Sequence, residues 1–283
     1  MDSPCPYKRI GAGSFATIYA DEGRGGSVIK QVHDPANATV IRKEHDDLSA
    51  LYDVCKQRTT HFKVPRPFGY YDDCNSFTKV ERKLAMYVMQ RIWPVPIDTS
   101  YRIQDLFFPY EHKQKPPPQF LARLYLGKNP QQRSNRFFSH ENFPLDAERI
   151  EKLELPADQI AAGMGEMLSI INFRIGRDGR DIEFVLSGDP MNPLCQVPTY
   201  SCIDYNQMRP HHGSFAAIVS ATAANDPYYP RPSSPYWNNF AFAYISEAIA
   251  CGREASEIAQ QVLDALCDRW AGWESWADAD VIP

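Results

Sequence analysis

The sequence predicts an α+β fold of two lobes, with a small β-rich N-terminal lobe over residues 1–95 and a larger, mainly helical C-terminal lobe over residues 96–283. Short stretches of alternating and β-branched residues fill the first third of the chain, as in strands. Apolar residues recur at helical spacing through much of the second half. The breaker Trp93–Pro96 (WPVP) lies between the two patterns and predicts a hinge there.

The N-terminal lobe is predicted to contain five strands and one helix. The helix covers Thr39–Tyr52, where Val40, Ile41, Leu48 and Leu51 recur at near-helical spacing with charged residues between them. The predicted strands are Tyr7–Ile10, Phe15–Ala20, Ser27–Val32, Phe68–Tyr71 and Leu84–Gln90. The first two flank a glycine turn, and the last two are expected to pair.

The C-terminal lobe is predicted to contain four helices, one short strand and one hairpin. The helices are Leu145–Leu153, Asp158–Phe173, Asn239–Gly252 and Ala255–Trp270. Phe120–Leu126 is predicted as the strand, and Asp181–Leu186 is expected to pair with Tyr200–Ile203. The segment Asn225–Tyr236 is rich in proline and serine and is predicted to be a loop whose aromatic residues pack internally.

Composition places the chain among globular proteins, with 43% hydrophobic and 23% charged residues. A net charge of -5 argues against a wholly basic nucleic-acid-binding domain, although a local basic groove stays open. The seven cysteines show no C-x-x-C spacing, so we expect reduced, mostly buried thiols and no zinc site or disulfide framework. No signal-peptide core and no membrane-spanning apolar stretch is visible, so the expected location is cytoplasmic.

A glycine-rich turn, a lysine and a glutamate follow one another in the predicted N-terminal lobe. The turn lies in Ile10–Tyr19 (IGAGSFATIY), the lysine is Lys30 in a predicted strand, and Glu44 is in the predicted helix. This order is typical of protein kinases, where the glutamate holds the lysine that faces the cleft. Ala16 occupies the place of the usual third glycine. The alternative is an ordinary hairpin with Lys30 solvated and Glu44 on an outer helix face.

Three carboxylates follow the longest apolar helix, in the segment Gly176–Leu186 (GRDGRDIEFVL). In a kinase, a catalytic aspartate is followed five residues later by a metal-binding asparagine. Here Asp178 matches the aspartate, Glu183 replaces the asparagine, and Asp181 lies between them. Clustered carboxylates favour a metal ion or a cationic substrate such as a guanidinium. The alternative is a polar turn whose acids pair with neighbouring arginines, Arg177 and Arg180.

A third pattern is an apolar strand that ends in Asp204-Tyr205-Asn206, where a kinase has Asp-Phe-Gly. In that frame Asp204 points into the cleft and Asn206 lies beside it. A plain aspartate turn after a strand is the alternative. These patterns together predict a two-lobed, protein-kinase-like fold with a cleft at the lobe boundary.

The chain resembles a fungal family of kinase-like proteins that was long known only as a domain of unknown function. The matching segments extend from Ile10 to Gln207 and include IGAGSFATIY, VIK, YVMQRI, FLARLYLG, RDGRDIEFVL and IDYNQ. The most specific of them is the D-x-x-D-x-E-F-V-L pattern that begins at Asp178. Members of this family include the arginine-containing cyclodipeptide synthases of fungal secondary metabolism.

The resemblance implies an aminoacyltransferase whose partners are two aminoacyl-tRNAs, one of them arginyl-tRNA, and whose product is a cyclo(Arg-Xaa) diketopiperazine. Asp178, Asp181 and Glu183 are then expected to be catalytic and to receive the arginine guanidinium. Substrate-binding roles are expected for Lys30, Glu44, Asp204 and Asn206. No cofactor is expected, because the ester is already activated and needs no ATP.

Two other functions fit the same residues. One is a small-molecule phosphotransferase, in which Lys30 binds phosphates, Asp178 is the base and Asp204 binds magnesium. The other is a catalytically inactive pseudokinase scaffold, in which Arg177 and Arg180 neutralise the acidic triplet. A basic strip for tRNA phosphates would comprise Lys113, Lys115, Lys128, Arg133 and Arg136, with a solvated loop as the alternative.

Overall fold

The first part of the chain forms one antiparallel sheet with a single helix against it. The computed structural model describes residues 7–21, 25–75, 83–127 and 138–277. The strands are β1 (Tyr7–Ala12), β2 (Ala16–Asp21), β3 (Ser27–Val32), β4 (Pro67–Asn75) and β5 (Lys83–Gln90). They lie in the order β1-β2-β3-β5-β4, so β3 is central. Helix α1 (Ala38–Cys55) buries Ile41, Leu48 and Leu51 at its helical spacing.

A linker of six residues leads from β5 to the second lobe, which is mainly helical. Its helices are α2 (Ile97–Phe107), α3 (Ala147–Lys152), α4 (Ala157–Phe173), α5 (Phe215–Ala224), α6 (Trp237–Cys251) and α7 (Arg253–Ala277). Helix α4 is almost wholly buried and crosses α6 closely. At Gly165 a Cβ atom would lie 2.1 Å from the Phe240 carbonyl oxygen, so only glycine allows this crossing.

A second, smaller sheet lies in the C-terminal lobe. Its strands are β6 (Ala122–Tyr125), β7 (Pro144–Asp146), β8 (Glu183–Ser187) and β9 (Thr199–Ile203), in the order β7-β6-β8-β9. β8 and β9 pair in antiparallel register from Glu183 opposite Ile203 to Ser187 opposite Thr199. The predicted hairpin therefore forms, and it presents Glu183 and Asp204 at the same end.

The predicted fold class is confirmed by this architecture. A five-stranded antiparallel sheet with one helix, a short linker and a mainly helical lobe together make the two-lobed α+β arrangement of a protein kinase. The predicted boundary after residue 95 falls within the linker between β5 and α2. No helix of the described ranges combines the length and the apolar character that a membrane span requires.

Two helices of the structure have no counterpart in the sequence prediction. Helix α5 is apolar or small on all sides (FAAIVSATAA), so it lacks the polar stripe that reveals helical periodicity. Helix α2 is short and follows Pro96, which sequence patterns interpret as a breaker, although proline fits a helix start. The six cysteines within the described residues are all free, but only Cys55 and Cys202 are buried.

Candidate active site

A buried ion pair on the N-terminal side of the cleft joins β3 to α1. The Lys30 Nζ atom lies 2.6 Å from a Glu44 carboxylate oxygen and 3.1 Å from an Asp204 carboxylate oxygen. The Phe15 ring covers the same ammonium, with its centroid 5.1 Å away. Burial lowers the pKa of Lys30, but the attraction of Glu44 and Asp204 outweighs it and the net shift is upward. Lys30 is therefore charged, paired twice and only 8% exposed.

The glycine-rich turn between β1 and β2 is tight. The Gly13 amide donates to the Ala16 carbonyl at 2.9 Å, and this bond reverses the chain. Ala16, at the position of the usual third glycine, is buried and pairs with Val32 of β3. The turn therefore brings the Phe15 ring over Lys30.

The acidic segment leaves α4 through three residues with positive φ: Gly176 at 68°, Gly179 at 70° and Asp181 at 61°. At Gly179 a Cβ atom would lie 2.8 Å from Leu168 Cδ1. Asp181 adopts this left-handed conformation with a full side chain, which costs free energy of about 1–3 kcal/mol unless the surroundings impose it.

A buried asparagine imposes the conformation of Asp181. The Asn225 Oδ1 atom accepts from the Asp181 amide at 2.6 Å, and its Nδ2 atom donates to the Gly179 carbonyl at 3.0 Å. The same Nδ2 atom lies 3.4 Å from the Ile182 carbonyl. Asn225 is 5% exposed and begins the loop that follows α5. This single side chain therefore holds both sides of the turn that aims Asp181.

Asp178 lies apart from the other acids. Its Oδ1 atom accepts from the amides of Arg180 and Arg209, at 3.1 and 2.9 Å, and the residue is 3% exposed. The Arg180 Nε atom lies 3.7 Å from the other oxygen. Asp178 thus ties the acidic segment to the chain after β9, because one of its carboxylate oxygens accepts from two backbone amides.

Glu183 begins β8 and forms an ion pair across the small sheet. The Arg123 Nη2 atom on β6 lies 2.6 Å from Glu183 Oε1, and the Glu183 side chain is 15% exposed. In the antiparallel register Arg123 is paired with Val185, and Tyr125 lies two residues further along β6, on the same face as Arg123. The Glu183 carboxylate is therefore anchored by one oxygen at the edge of the cleft.

Three carboxylates interact electrostatically at the C-terminal side of the cleft, those of Asp181, Glu183 and Asp204. Burial raises the pKa of Glu183 to about 7, against the opposing effect of Arg123 and with support from Asp204 and Asp181. Burial also raises the pKa of Asp181, and Asp204 adds to that shift. Gln207 donates to the Asp181 carboxylate at 2.6 Å. Asp204, like Asp181, has a positive φ, at 62°.

Of the seven predicted site residues, the structure brings five together: Lys30, Glu44, Asp181, Glu183 and Asp204. Asn206 follows Asp204, and its Oδ1 atom is buried without a hydrogen-bond partner. Asp178 is the exception, because its carboxylate is used by the backbone.

The arginines next to the acids do not neutralise the triplet as the scaffold hypothesis requires. Arg177 pairs with Asp47 of α1 at 2.6 Å, and Arg180, whose Nη2 atom donates to the Ser220 hydroxyl at 3.5 Å, approaches only Asp178 among the three acids. Glu183 is instead paired by Arg123, which the sequence analysis did not consider. Of the basic strip, Lys113 and Lys115 lie in a loop after α2, whereas Lys128, Arg133 and Arg136 lie outside the described residues.

Sequence reasoning missed Arg123, Gln207, Asn225 and Tyr228. Arg123 and Tyr125 are the more polar alternate residues of β6, so the two-residue period of the strand was a signal that they share a face. Asn225 and Tyr228 lie in a segment predicted only as a loop, and no local pattern connects them with residues 179–183. Their positions depend on tertiary contacts.

Comparisons with known proteins add little about the site. A family model described as "Zinc finger protein" matches residues 202–256, which is less than half of the chain. No curated protein matches. A solved structure of the kinase domain of maize sucrose-induced receptor kinase 1, bound to AMP-PNP, is 13% identical, with a TM-score of 0.37. The match covers 93% of this chain and 79% of that chain. At this TM-score the likeness supports no argument.

The description of the matching family raises the question of a zinc site. Within the described residues, no group of three His, Cys, Asp or Glu side chains is arranged to hold a metal ion. Cys202, at the start of the matched range, is buried in β9, and burial raises the pKa of its thiol. The residues of the matched range therefore do not fit a zinc finger in this chain.

Proposed function

We propose that the chain is an aminoacyltransferase that joins the arginyl group of arginyl-tRNA to a second aminoacyl group and releases a cyclo(Arg-Xaa) diketopiperazine. One observation carries the proposal: the Glu183 carboxylate lies at the cleft with a pKa of about 7, beside two further carboxylates. The resemblance of the D-x-x-D-x-E-F-V-L segment to fungal cyclodipeptide synthases supplies the substrates.

The charge of the cleft supports a cationic substrate. Four carboxylates interact there, those of Glu44, Asp181, Glu183 and Asp204, and among the residues that the structure describes two cations face them, Lys30 and Arg123. When all are ionised, two negative charges are in excess. An arginyl ester carries a guanidinium and an α-ammonium group, so its two positive charges match this excess. We assign the guanidinium to Asp181 and Asp204, because Glu183 already binds Arg123.

The position and pKa of Glu183 suit a general base. Amide formation requires that the attacking α-amine loses a proton, and a base works best when its pKa lies near the working pH. The free amine of one aminoacyl group attacks the ester carbonyl of the other. A C–N bond forms, the C–O bond to the tRNA ribose breaks, and the ribose oxygen takes a proton. A second aminolysis of the same kind closes the ring.

Mass spectrometry of a bacterial host that expresses the chain tests this proposal, because the host supplies charged tRNAs. We expect cyclo(Arg-Xaa) in extracts of the unaltered protein and about a hundredfold less, or none, with Glu183→Gln. Glu254→Gln, on the exposed first turn of α7, is the matched control and should leave product formation unchanged. Extracts of the unaltered protein without any arginine-containing diketopiperazine would refute the proposal.

A small-molecule phosphotransferase is the second candidate, and the Lys30–Glu44 pair with Asp204 at 3.1 Å favours it, since kinases use this arrangement on phosphates and magnesium. Two observations weigh against it. Phe15 covers Lys30, and the residue at the metal-binding asparagine position, Glu183, is engaged by Arg123. Mg-ATP should raise the melting temperature under this function and leave it unchanged under aminoacyl transfer.

A further inference from the structure

Three side chains are grouped near Glu183 at the small sheet: those of Arg123, Tyr125 and Tyr228. Arg123 holds one of the Glu183 oxygens, and Tyr125 lies two residues further along β6, on the same face as Arg123. The Tyr228 ring packs edge-on against Tyr125, with centroids 4.8 Å apart, and against the Phe184 ring at 6.0 Å. Tyr228 and Tyr125 both interact with Arg123, and Tyr228 is close enough to Glu183 for that carboxylate to raise its pKa.

The hydroxyl of Tyr228 is buried and makes no hydrogen bond of ordinary geometry, with the Tyr125 hydroxyl close by. The residue is 7% exposed. Leaving a buried hydroxyl unpaired costs about 1–3 kcal/mol, so such groups in a native protein call for an explanation. The ring itself is positioned without the hydroxyl. The Leu126 amide donates to the Tyr228 carbonyl at 2.9 Å, and the Gly127 amide donates to the Pro227 carbonyl at 2.9 Å. Phenylalanine would satisfy the same aromatic and backbone contacts.

The protonation states of Tyr228 and Glu183 indicate a role for the hydroxyl. Burial raises the pKa of Tyr228, and the nearby Glu183 carboxylate raises it further, so the phenol keeps its proton across the physiological range. A neutral phenol next to a carboxylate can donate to it when the carboxylate is ionised and accept from it when it is protonated.

We propose that Tyr228 is a positioning residue for Glu183, whose carboxylate accepts a hydrogen bond from the Tyr228 hydroxyl once it has lost its proton. The proposal rests on the proposed function in that Glu183 is the base whose proton state matters. Arg123 then holds one oxygen, and Tyr228 fixes the orientation of the group. Removing the hydroxyl should disfavour the ionised form, so that the base becomes available only at higher pH.

The titration of Glu183 depends on several groups, which the test must hold constant. The charged or titratable groups that face it are Arg123 and Tyr125 on β6, Tyr228 after α5, Asp181 before β8, Cys202 on β9, Asp204 after β9 and Lys30 on β3. Tyr229 offers a matched control, because its hydroxyl is also buried but interacts with Asn225, Cys202 and Asp178 instead of Glu183.

The experiment is a ¹³C NMR titration of the glutamate carboxyls in the full chain, with the Glu183 signal assigned by its loss in Glu183→Gln. We expect Tyr228→Phe to raise the Glu183 midpoint by about half to one pH unit, the worth of one hydrogen bond. Tyr229→Phe should leave it unchanged. An unchanged or lowered midpoint in Tyr228→Phe, or equal shifts in both variants, would overturn the proposal.

A second variant guards against a folding defect in Tyr228→Phe. Replacing Tyr228 by 3-fluorotyrosine makes the phenol a stronger donor, so the Glu183 midpoint should fall, and a rise would contradict the role. Because the titration needs no turnover, the two proposals can fail separately. A shifted Glu183 midpoint without any diketopiperazine would contradict only the proposed reaction. Diketopiperazine formation with an unshifted midpoint would sink only the role of Tyr228.

Discussion

The two lobes contribute charged side chains to the same cleft, but the two sets differ in pairing and in backbone. On the N-terminal side, Lys30 and Glu44 lie on regular elements, β3 and α1, and both are buried and paired at 2.6 Å. On the C-terminal side, Asp181 and Asp204 lie in turns with positive φ, and carboxylates outnumber cations. Regular structure positions the first set, whereas local strain and Asn225 position the second.

The difference indicates where the chemistry lies. A buried, internally neutralised pair leaves little for a ligand to bind, and it mainly connects α1 to the sheet. Strained backbone and unbalanced charge cost free energy that packing elsewhere must offset, and they concentrate at functional sites. The kinase-like lysine and glutamate are therefore expected to be structural in this chain, and the acids after α4 and β9 to bind and react.

The largest expected effect comes from removing the lysine. Lys30→Met leaves Glu44, which is 1% exposed, as an unpaired charge in the interior. Breaking a buried pair in this way costs about 3–5 kcal/mol. Urea unfolding of the purified protein should show this loss in the free energy of unfolding.

A double variant sharpens the comparison. Lys30→Met with Glu44→Leu removes both members of the pair, so neither leaves an unpaired buried charge, and Asp204, 32% exposed, can be solvated. We therefore expect the double variant to recover most of the lost stability. A double variant as unstable as Lys30→Met alone would mean that the lysine stabilises the lobe through contacts other than its charge.

The next prediction concerns the pH dependence of stability, for which we expect a smaller change in the free energy of unfolding than for Lys30→Met. Glu183 has a folded-state pKa of about 7 against an ordinary value of 4.5, so the folded protein binds a proton more tightly than the unfolded chain. Stability from this group is full below pH 4.5 and is lost as the pH rises through about 7. The loss in the free energy of unfolding should be roughly 2–3 kcal/mol. Glu183→Gln should flatten this part of the stability profile measured by urea unfolding between pH 4.5 and 8.

The control for this effect is a carboxylate outside the cleft. Glu254→Gln, on exposed α7, should keep the slope of the unaltered protein. If Glu183→Gln shows the same slope as the unaltered protein, Glu183 titrates normally. The two sides of the cleft would then differ in pairing and backbone conformation but not in proton affinity. Product formation should in turn rise with pH through about 7, because the base must be ionised.

Most of the fold could be predicted from the sequence, because it depends on local periodicity. The apolar stripe of α4 and the β-branched character of β3 both determine their elements by residues that are close in the chain. Helix α5 could not be found in this way, since a helix that is apolar all round has no face to detect.

The site was predicted only in part, and the reason is distance along the chain. Lys30, Glu44 and Asp204 follow a known order of motifs, so their convergence could be anticipated. Arg123 lies sixty residues before its partner Glu183, and Asn225 reaches back over forty residues to Asp181. Neither pairing leaves a local trace. The sequence also does not reveal that one oxygen of the Asp178 carboxylate accepts hydrogen bonds from two backbone amides.

The smallest expected effect concerns Asp178, whose predicted role as a catalytic acid can be separated from its structural one. Asp178→Asn keeps an Oδ1 atom that accepts from the Arg180 and Arg209 amides, so stability should change by less than about 1 kcal/mol. Asp178→Ala removes the acceptor and should cost about 2 kcal/mol. If Asp178 only ties the backbone, Asp178→Asn also keeps most of the diketopiperazine formation, whereas Asp181→Asn, which removes a cleft charge, loses it. A hundredfold loss in Asp178→Asn at unchanged stability would instead place the base at Asp178 and move the reacting centre away from Glu183.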